Sequence, residues 1–110
     1  MERLMKGDIV VVPFPFSNLS KTKRRPALIV ADLEGDDFIL CQITSEANKD
    51  RYAIALSNKD FKSGSLKVDS MIRPNKLFTA DASLVLYRIG SLRESKIKEI
   101  EDRLVGIIGR

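Results

Sequence analysis

The hydrophobic pattern changes period once along this chain, and that change constrains the fold more than any other feature. Through roughly the first eighty residues, the apolar runs are short, rich in β-branched residues and closed by proline, glycine or polar turns. Asp8-Ile9-Val10-Val11-Val12-Pro13 reads as a strand, and the prolines of Phe14-Pro15-Phe16-Ser17-Asn18-Leu19-Ser20 predict a loop after it. Pro26-Ala27-Leu28-Ile29-Val30-Ala31 predicts a second strand. Glu34-Gly35-Asp36-Asp37 predicts a turn and Phe38 to Thr44 a third strand, so residues 28–44 form a hairpin. Ser45 to Arg51 is polar and predicts a loop, and Tyr52 to Leu56 a strand. Ser57 to Lys67 reads as a polar excursion. Val68 to Ile72 and Leu77 to Thr79 predict two short strands parted by Arg73-Pro74-Asn75.

Only near the end does a helical period appear. Ile97, Ile100, Leu104 and Ile107 recur at helical spacing between charged residues, and Ser91-Leu92-Arg93-Glu94 fits a capping box with Ser91 at the N-cap. The predicted helix ends near Gly106 or Gly109. Short strands followed by one terminal helix predict a mainly β fold, a small barrel with a helix packed on it, filling residues 1–110 as one domain. No apolar run approaches the roughly 20 residues of a membrane-spanning helix. Met1 to Lys6 lacks the apolar stretch of a signal peptide, so a cytoplasmic protein without a membrane partner is expected.

The chemistry available is bounded by what the chain lacks. It contains no histidine, which removes Ser-His-Asp and Cys-His catalysis, histidine-based zinc sites and the two-histidine ribonuclease mechanism. The single cysteine, Cys41, excludes an internal disulfide and a cysteine metal cluster, and its apolar surroundings read as core. An enzyme built from this chain works with Arg, Lys, hydroxyls, carboxylates and backbone amides. No metal or cofactor is expected.

Charge is placed unevenly. Residues 1–30 hold six Lys/Arg against two Asp/Glu, whereas residues 31–110 hold thirteen of each, so the whole net charge of +4 lies in the first part, mostly in Lys21-Thr22-Lys23-Arg24-Arg25. A local basic cluster suits a polyanion; a solvated basic loop is the competing reading. Within the cluster Arg25 differs from its neighbours. Pro26 biases it toward extended geometry at the mouth of a strand, where a guanidinium is held steadily enough to grip a phosphate in bidentate fashion. An edge-strand arginine in a surface ion pair is the alternative. Thr44-Ser45 closes the third strand beside the second, and its hydroxyls either donate to a phosphate oxygen or cap a turn.

Taken in order, Gly7-Asp8-Ile9-Val10, Arg25-Pro26-Ala27-Leu28-Ile29-Val30 and Gln42-Ile43-Thr44-Ser45 resemble the MazF/PemK toxins of type II toxin–antitoxin systems. Ser70-Met71-Ile72, Thr79-Ala80-Asp81 and the terminal helix fall where that family has matching elements, so the resemblance covers nearly the whole chain. It implies an SH3-like barrel of the MazF/PemK/CcdB type and a homodimer. It also implies a metal-independent, sequence-specific endoribonuclease that cuts single-stranded mRNA, leaving a 2′,3′-cyclic phosphate and a 5′-hydroxyl. A cognate antitoxin protein, with which such toxins bind DNA, would block it. By the same resemblance Arg25 and Thr44 are catalytic. The Ser17–Arg24 loop, with Ser17, Ser20, Lys21, Lys23 and Arg24, gates the site and touches RNA, and Pro26, Ser45 and Lys76 complete the substrate-binding set. Phe14 and Phe16 are candidates for stacking bases, with packing as the alternative. Two positions depart from the family pattern. The chain lacks the histidine that some members use in acid–base work, and Phe78 stands before Thr79 where another member carries arginine. Arginine is a poor base at its ordinary pKa, and no substitute stands out. Two other functions fit the same fold: a gyrase-poisoning toxin, and a catalytically silent barrel that binds RNA or protein.

Overall fold

The computed structural model describes residues 3–15, 22–46 and 49–110. Among the described residues seven strands make one sheet: β1 (Asp8–Pro15), β2 (Thr22–Asp32), β3 (Asp37–Thr44), β4 (Ile54–Leu56), β5 (Phe61–Gly64), β6 (Ser70–Asp81) and β7 (Tyr87–Leu92). Helix α1 (Glu94–Ile108) follows, and short 3-10 turns occupy Asn58–Asp60 and Ala82–Leu84. Every strand pair is antiparallel, in the order β4-β6-β3-β2-β1-β7-β5.

This order forces curvature. β4 and β5 are the outer strands, yet only residues 57–60 join them. A flat sheet of seven strands would part its edges by about 29 Å, whereas that connection spans at most about 17 Å. The sheet therefore curls into the half-closed barrel that the strand pattern predicted. Inside the curl lie Ile9, Leu28, Cys41, Ile43, Ile72 and Leu92, with Ile100 of α1 buried against them and Ile97 and Leu104 beside it. The alternate residues of β1 to β3, among them Val10, Val12, Ile29 and Leu40, form a second cluster on the other face. Leu4, Ala82 and Val85 cover it. Each isoleucine or leucine so enclosed contributes about 1.5–3 kcal/mol. Among the described residues no helix is long and apolar enough to cross a membrane.

Several expectations need correction. β1 does not stop at Pro13: it runs to Pro15, and β2 begins at Thr22 rather than Pro26, so both strands extend as a two-stranded arm with pairs Pro13↔Arg24, Phe14↔Lys23 and Pro15↔Thr22. The prolines are tolerated because the β7 ladder on β1 ends at Val11↔Tyr87 and the β3 ladder on β2 begins at Ala27↔Gln42, which leaves each arm strand one neighbour only. Lys23, Arg24 and Arg25 thus sit on a strand and not in a loop. The two predicted strands at 68–79 are one strand, β6. Its register on β3 jumps from Gln42↔Arg73 to Cys41↔Leu77, and residues 74–76 bulge out at Pro74.

The predicted strand at Tyr52–Leu56 shortens to Ile54–Leu56, and the polar excursion contains β5. Ser91 is not the helix cap. It lies in β7 and donates its hydroxyl to the buried Asp8 at 2.7 Å, while Arg93 holds the N-cap position and its carbonyl accepts from Lys96 and Ile97. The helix does end at Gly109.

Candidate functional site

Residues of four neighbouring strands build the floor of a groove. Tyr87 of β7 pairs with Val11 of β1, and Val11 with Pro26 of β2; continuing the β2–β3 register past Ala27↔Gln42 brings Pro26 opposite Ile43. Arg25 and Thr44 follow next to them along β2 and β3. All six residues line one cavity of about 580 Å³, and Ser65 to Val68, the segment between β5 and β6, walls it from the other side. That segment is held in place by short bonds: Asn58 Oδ1 accepts from the Leu66 amide at 2.9 Å, and the Ser70 hydroxyl donates to the Val68 carbonyl at 3.1 Å.

Arg25 is half-buried, with its Nε enclosed, and Thr44 is buried at 9% exposure. The Thr44 hydroxyl caps a turn, as one of the two readings had it: its Oγ1 accepts from the Glu46 amide at 3.1 Å. A hydroxyl that accepts in this way retains its hydrogen to donate elsewhere, so the turn and a donor role are compatible. Arg24 and Lys67 add charge at the groove, and no carboxylate lines it among the described residues. Fixed guanidinium and hydroxyl donors in a groove without anions can hold a phosphodiester.

Of the residues singled out in the sequence, Arg24, Arg25, Pro26, Thr44 and Ser45 line this groove. Lys23 is exposed on β2 outside it, and Lys76 lines a different basin with Lys49, Arg51 and Arg73. Ser17, Ser20, Lys21 and Phe16 lie outside the described residues. Lys67, Ser65, Ser70 and Tyr87 also line the groove and were not foreseen. Ser70 stands in a segment that the sequence did mark, but as a strand and not as part of the site; Ser65, Lys67 and Tyr87 carried no such signal. Phe14 packs edge-on against Phe78, ring centroids 5.0 Å apart, so it braces the arm. Cys41 is fully buried, and burial pushes its thiol up to about 12, far from a reactive thiolate. Among the described residues no cluster of carboxylates and cysteine could hold a metal ion.

Residues 5–108 match the family described as PemK-like, MazF-like toxin of type II toxin-antitoxin system. The chain belongs to this family of toxins. Its fold is shared with solved members. An endoribonuclease in complex with its cognate antitoxin from a mycobacterial species superposes with a TM-score of 0.75 at 13% identity, covering 97% of this chain and 96% of that one. A second mycobacterial endoribonuclease gives 0.73 at 14% identity over 99% and 94%. MazF from the MazE–MazF structure of Deinococcus radiodurans gives 0.72 at 18% identity over 94% of each chain. No curated protein matches the chain in sequence. In this PemK/MazF-like toxin Phe78 packs on Phe14.

Proposed function

We propose that this toxin is an endoribonuclease that cleaves single-stranded RNA without a metal, with Arg25 and Thr44 acting at the scissile phosphate. The observation that carries the reading is the groove itself. Arg25 and Thr44 reach it from separate strands, Arg24 and Lys67 add positive charge, and no described carboxylate opposes an RNA phosphate there. The mycobacterial structures described as endoribonucleases support it through their common fold.

In the reaction the 2′-oxygen bonds to the adjacent phosphorus, the P–O5′ bond breaks, and the products carry a 2′,3′-cyclic phosphate and a 5′-hydroxyl. Negative charge gathers on the phosphoryl oxygens in the transition state. Arg25 clamps two of them, and the Thr44 hydroxyl, oriented by the Glu46 amide, donates to a nonbridging oxygen. Arg24 and Lys67 hold the strand at either wall, with Ser45 at the rim. The reading includes a cytoplasmic homodimer whose cognate antitoxin occludes the groove.

Primer extension on a long RNA incubated with the protein and EDTA tests it. Discrete stops at a recurring short sequence are expected. Intact RNA, or inhibition of gyrase supercoiling in a parallel assay, would reject the ribonuclease in favour of a silent barrel or a gyrase poison.

A further inference from the structure

Next to the groove lies a concavity of about 370 Å³, and the two share Ser45 and Ser70. Its floor is the paired stretch of β4 and β6, where Leu56 stands opposite Ser70 and Ala55 opposite Met71. Ser57, which follows Leu56, and Asp69, which precedes Ser70, complete the lining. The polarity is opposite to that of the groove. Among the described residues no cation lines this concavity, and Asp69 is its single charged side chain. Asp69 is exposed and has neither a hydrogen-bond nor an ion-pair partner among the described residues, although Lys67 stands close by in sequence. No contact of the fold accounts for this carboxylate. An unpaired carboxylate repels phosphate and accepts hydrogen bonds, so the part of a bound strand that faces it must present N–H donors.

We propose that this concavity selects a guanine beside the scissile phosphate, with Asp69 as the specificity-determining residue. Bases of a single strand are read on their Watson–Crick edges. Guanine alone sets two donors side by side there, N1–H and the N2 amino group, and a carboxylate accepts both in parallel. Adenine and cytosine offer one amino group beside a ring-nitrogen acceptor, and uracil one N3–H between two carbonyls. Each of these three turns a lone pair toward the Asp69 oxygens. The serine hydroxyls of the lining suit the O6 and N7 acceptors of guanine, and Leu56 and Met71 offer apolar contact to the ring. The inference rests on the ribonuclease reading for the place of the base relative to the cut, but binding tests it separately.

The test compares the native protein with Asp69→Ala, a change at an exposed position that leaves the fold intact. Primer extension on a long RNA gives native cuts with guanine at one fixed place beside the cut, and Asp69→Ala loses that preference. On an oligonucleotide centred on such a site, inosine replaces the guanine and so removes only the 2-amino group. This lowers kcat/KM of the native protein by about tenfold or more, as expected for one lost bond to a charged acceptor, and has little effect on Asp69→Ala. In parallel, fluorescence anisotropy follows binding of oligouridylates that carry one central guanine or one central adenine, with Arg25→Ala in both proteins to prevent cleavage. The guanine strand binds about tenfold tighter, and Asp69→Ala removes the difference. Native cuts without a fixed guanine, or equal binding of the two strands, overturn the subsite and leave the ribonuclease reading standing. An unchanged base preference in Asp69→Ala with lost affinity for a polylysine peptide also overturns it and assigns the carboxylate to a basic protein partner. If the native protein cuts no RNA while the Asp69-dependent guanine preference in binding persists, the subsite stands and the ribonuclease reading fails.

Discussion

Arg25 on β2 and Thr44 on β3 each lie two residues beyond the last pair of the β2–β3 ladder, Ala27↔Gln42, and both line the same groove. The position is specific to the end of the ladder. Pairing between β2 and β3 has stopped there, and residues of both strands line the groove at that point. The end of the β2–β3 ladder thus presents a guanidinium and a hydroxyl to one groove.

Thr44→Val removes the hydroxyl while keeping the volume. The Glu46 amide loses its acceptor, at a stability cost of about 1 kcal/mol. The loss of RNA cleavage is far larger than that, on the order of 10²-fold, as for other fixed donors to a developing charge. Thr44→Ser restores most of the activity. Initial rates on a fluorescent RNA, read beside thermal melts of the same proteins, separate the two effects.

Gly90→Ala destabilises the barrel without touching the groove. Gly90 pairs with Gly64 where β5 crosses β7, and a Cβ on Gly90 would meet the Ser63 carbonyl oxygen at 2.3 Å. Backbone must move to admit it, at a cost of about 1–3 kcal/mol. For a chain of this size each kcal/mol lowers Tm by about 4–8 °C. A melt no lower than that of the native protein contradicts the close approach.

Acid weakens the protein partly through Asp50. Burial opposes its ionisation, but the hydrogen bond and charge of Arg73, with the Tyr52 amide, hold its carboxyl below the usual aspartate value. The unfolded chain therefore binds the proton more readily. The stabilisation is complete above the ordinary aspartate pKa near 3.9 and is lost as pH falls through the lower folded value. Urea denaturation between pH 2 and 6 is expected to show a shallower acid decline for Asp50→Asn than for the native protein.

Much of the site-bearing sheet was legible in the residues, because β1, β2 and β3 are runs of Val, Ile and Leu whose only breaks are turns. The 28–44 hairpin and the place of Thr44 at a strand end followed from that alone. β5 and β7 escaped for a physical reason. Phe61-Lys62-Ser63-Gly64 buries one apolar residue, and its pairing depends on a close backbone approach between two glycines, which leaves no hydrophobic signature. Ser91 looked like a helix cap because its hydroxyl stands three residues before Glu94, but the buried Asp8, distant in sequence, claims that hydroxyl. Lys67 and the separation of Lys76 into its own basin depend likewise on the curl of the sheet and the β6 bulge, which local patterns do not encode. The prolines of β1 predicted a loop too early, since an arm strand with one neighbour has no ladder bond to lose there.

The central claim is that Arg25 stabilises the charge that develops on a cleaved phosphate. Its direct measurement is the single-turnover rate of RNA cleavage by the native protein, Arg25→Ala and Arg25→Lys, with the product ends identified. The native protein is expected to leave 2′,3′-cyclic phosphate. Arg25→Ala is expected to lose on the order of 10²–10³ in rate with little change in Tm, and Arg25→Lys to recover only part, because a point charge cannot grip two oxygens as the guanidinium fork does. Cleavage by Arg25→Ala at the native rate, with the same cyclic ends, would contradict it.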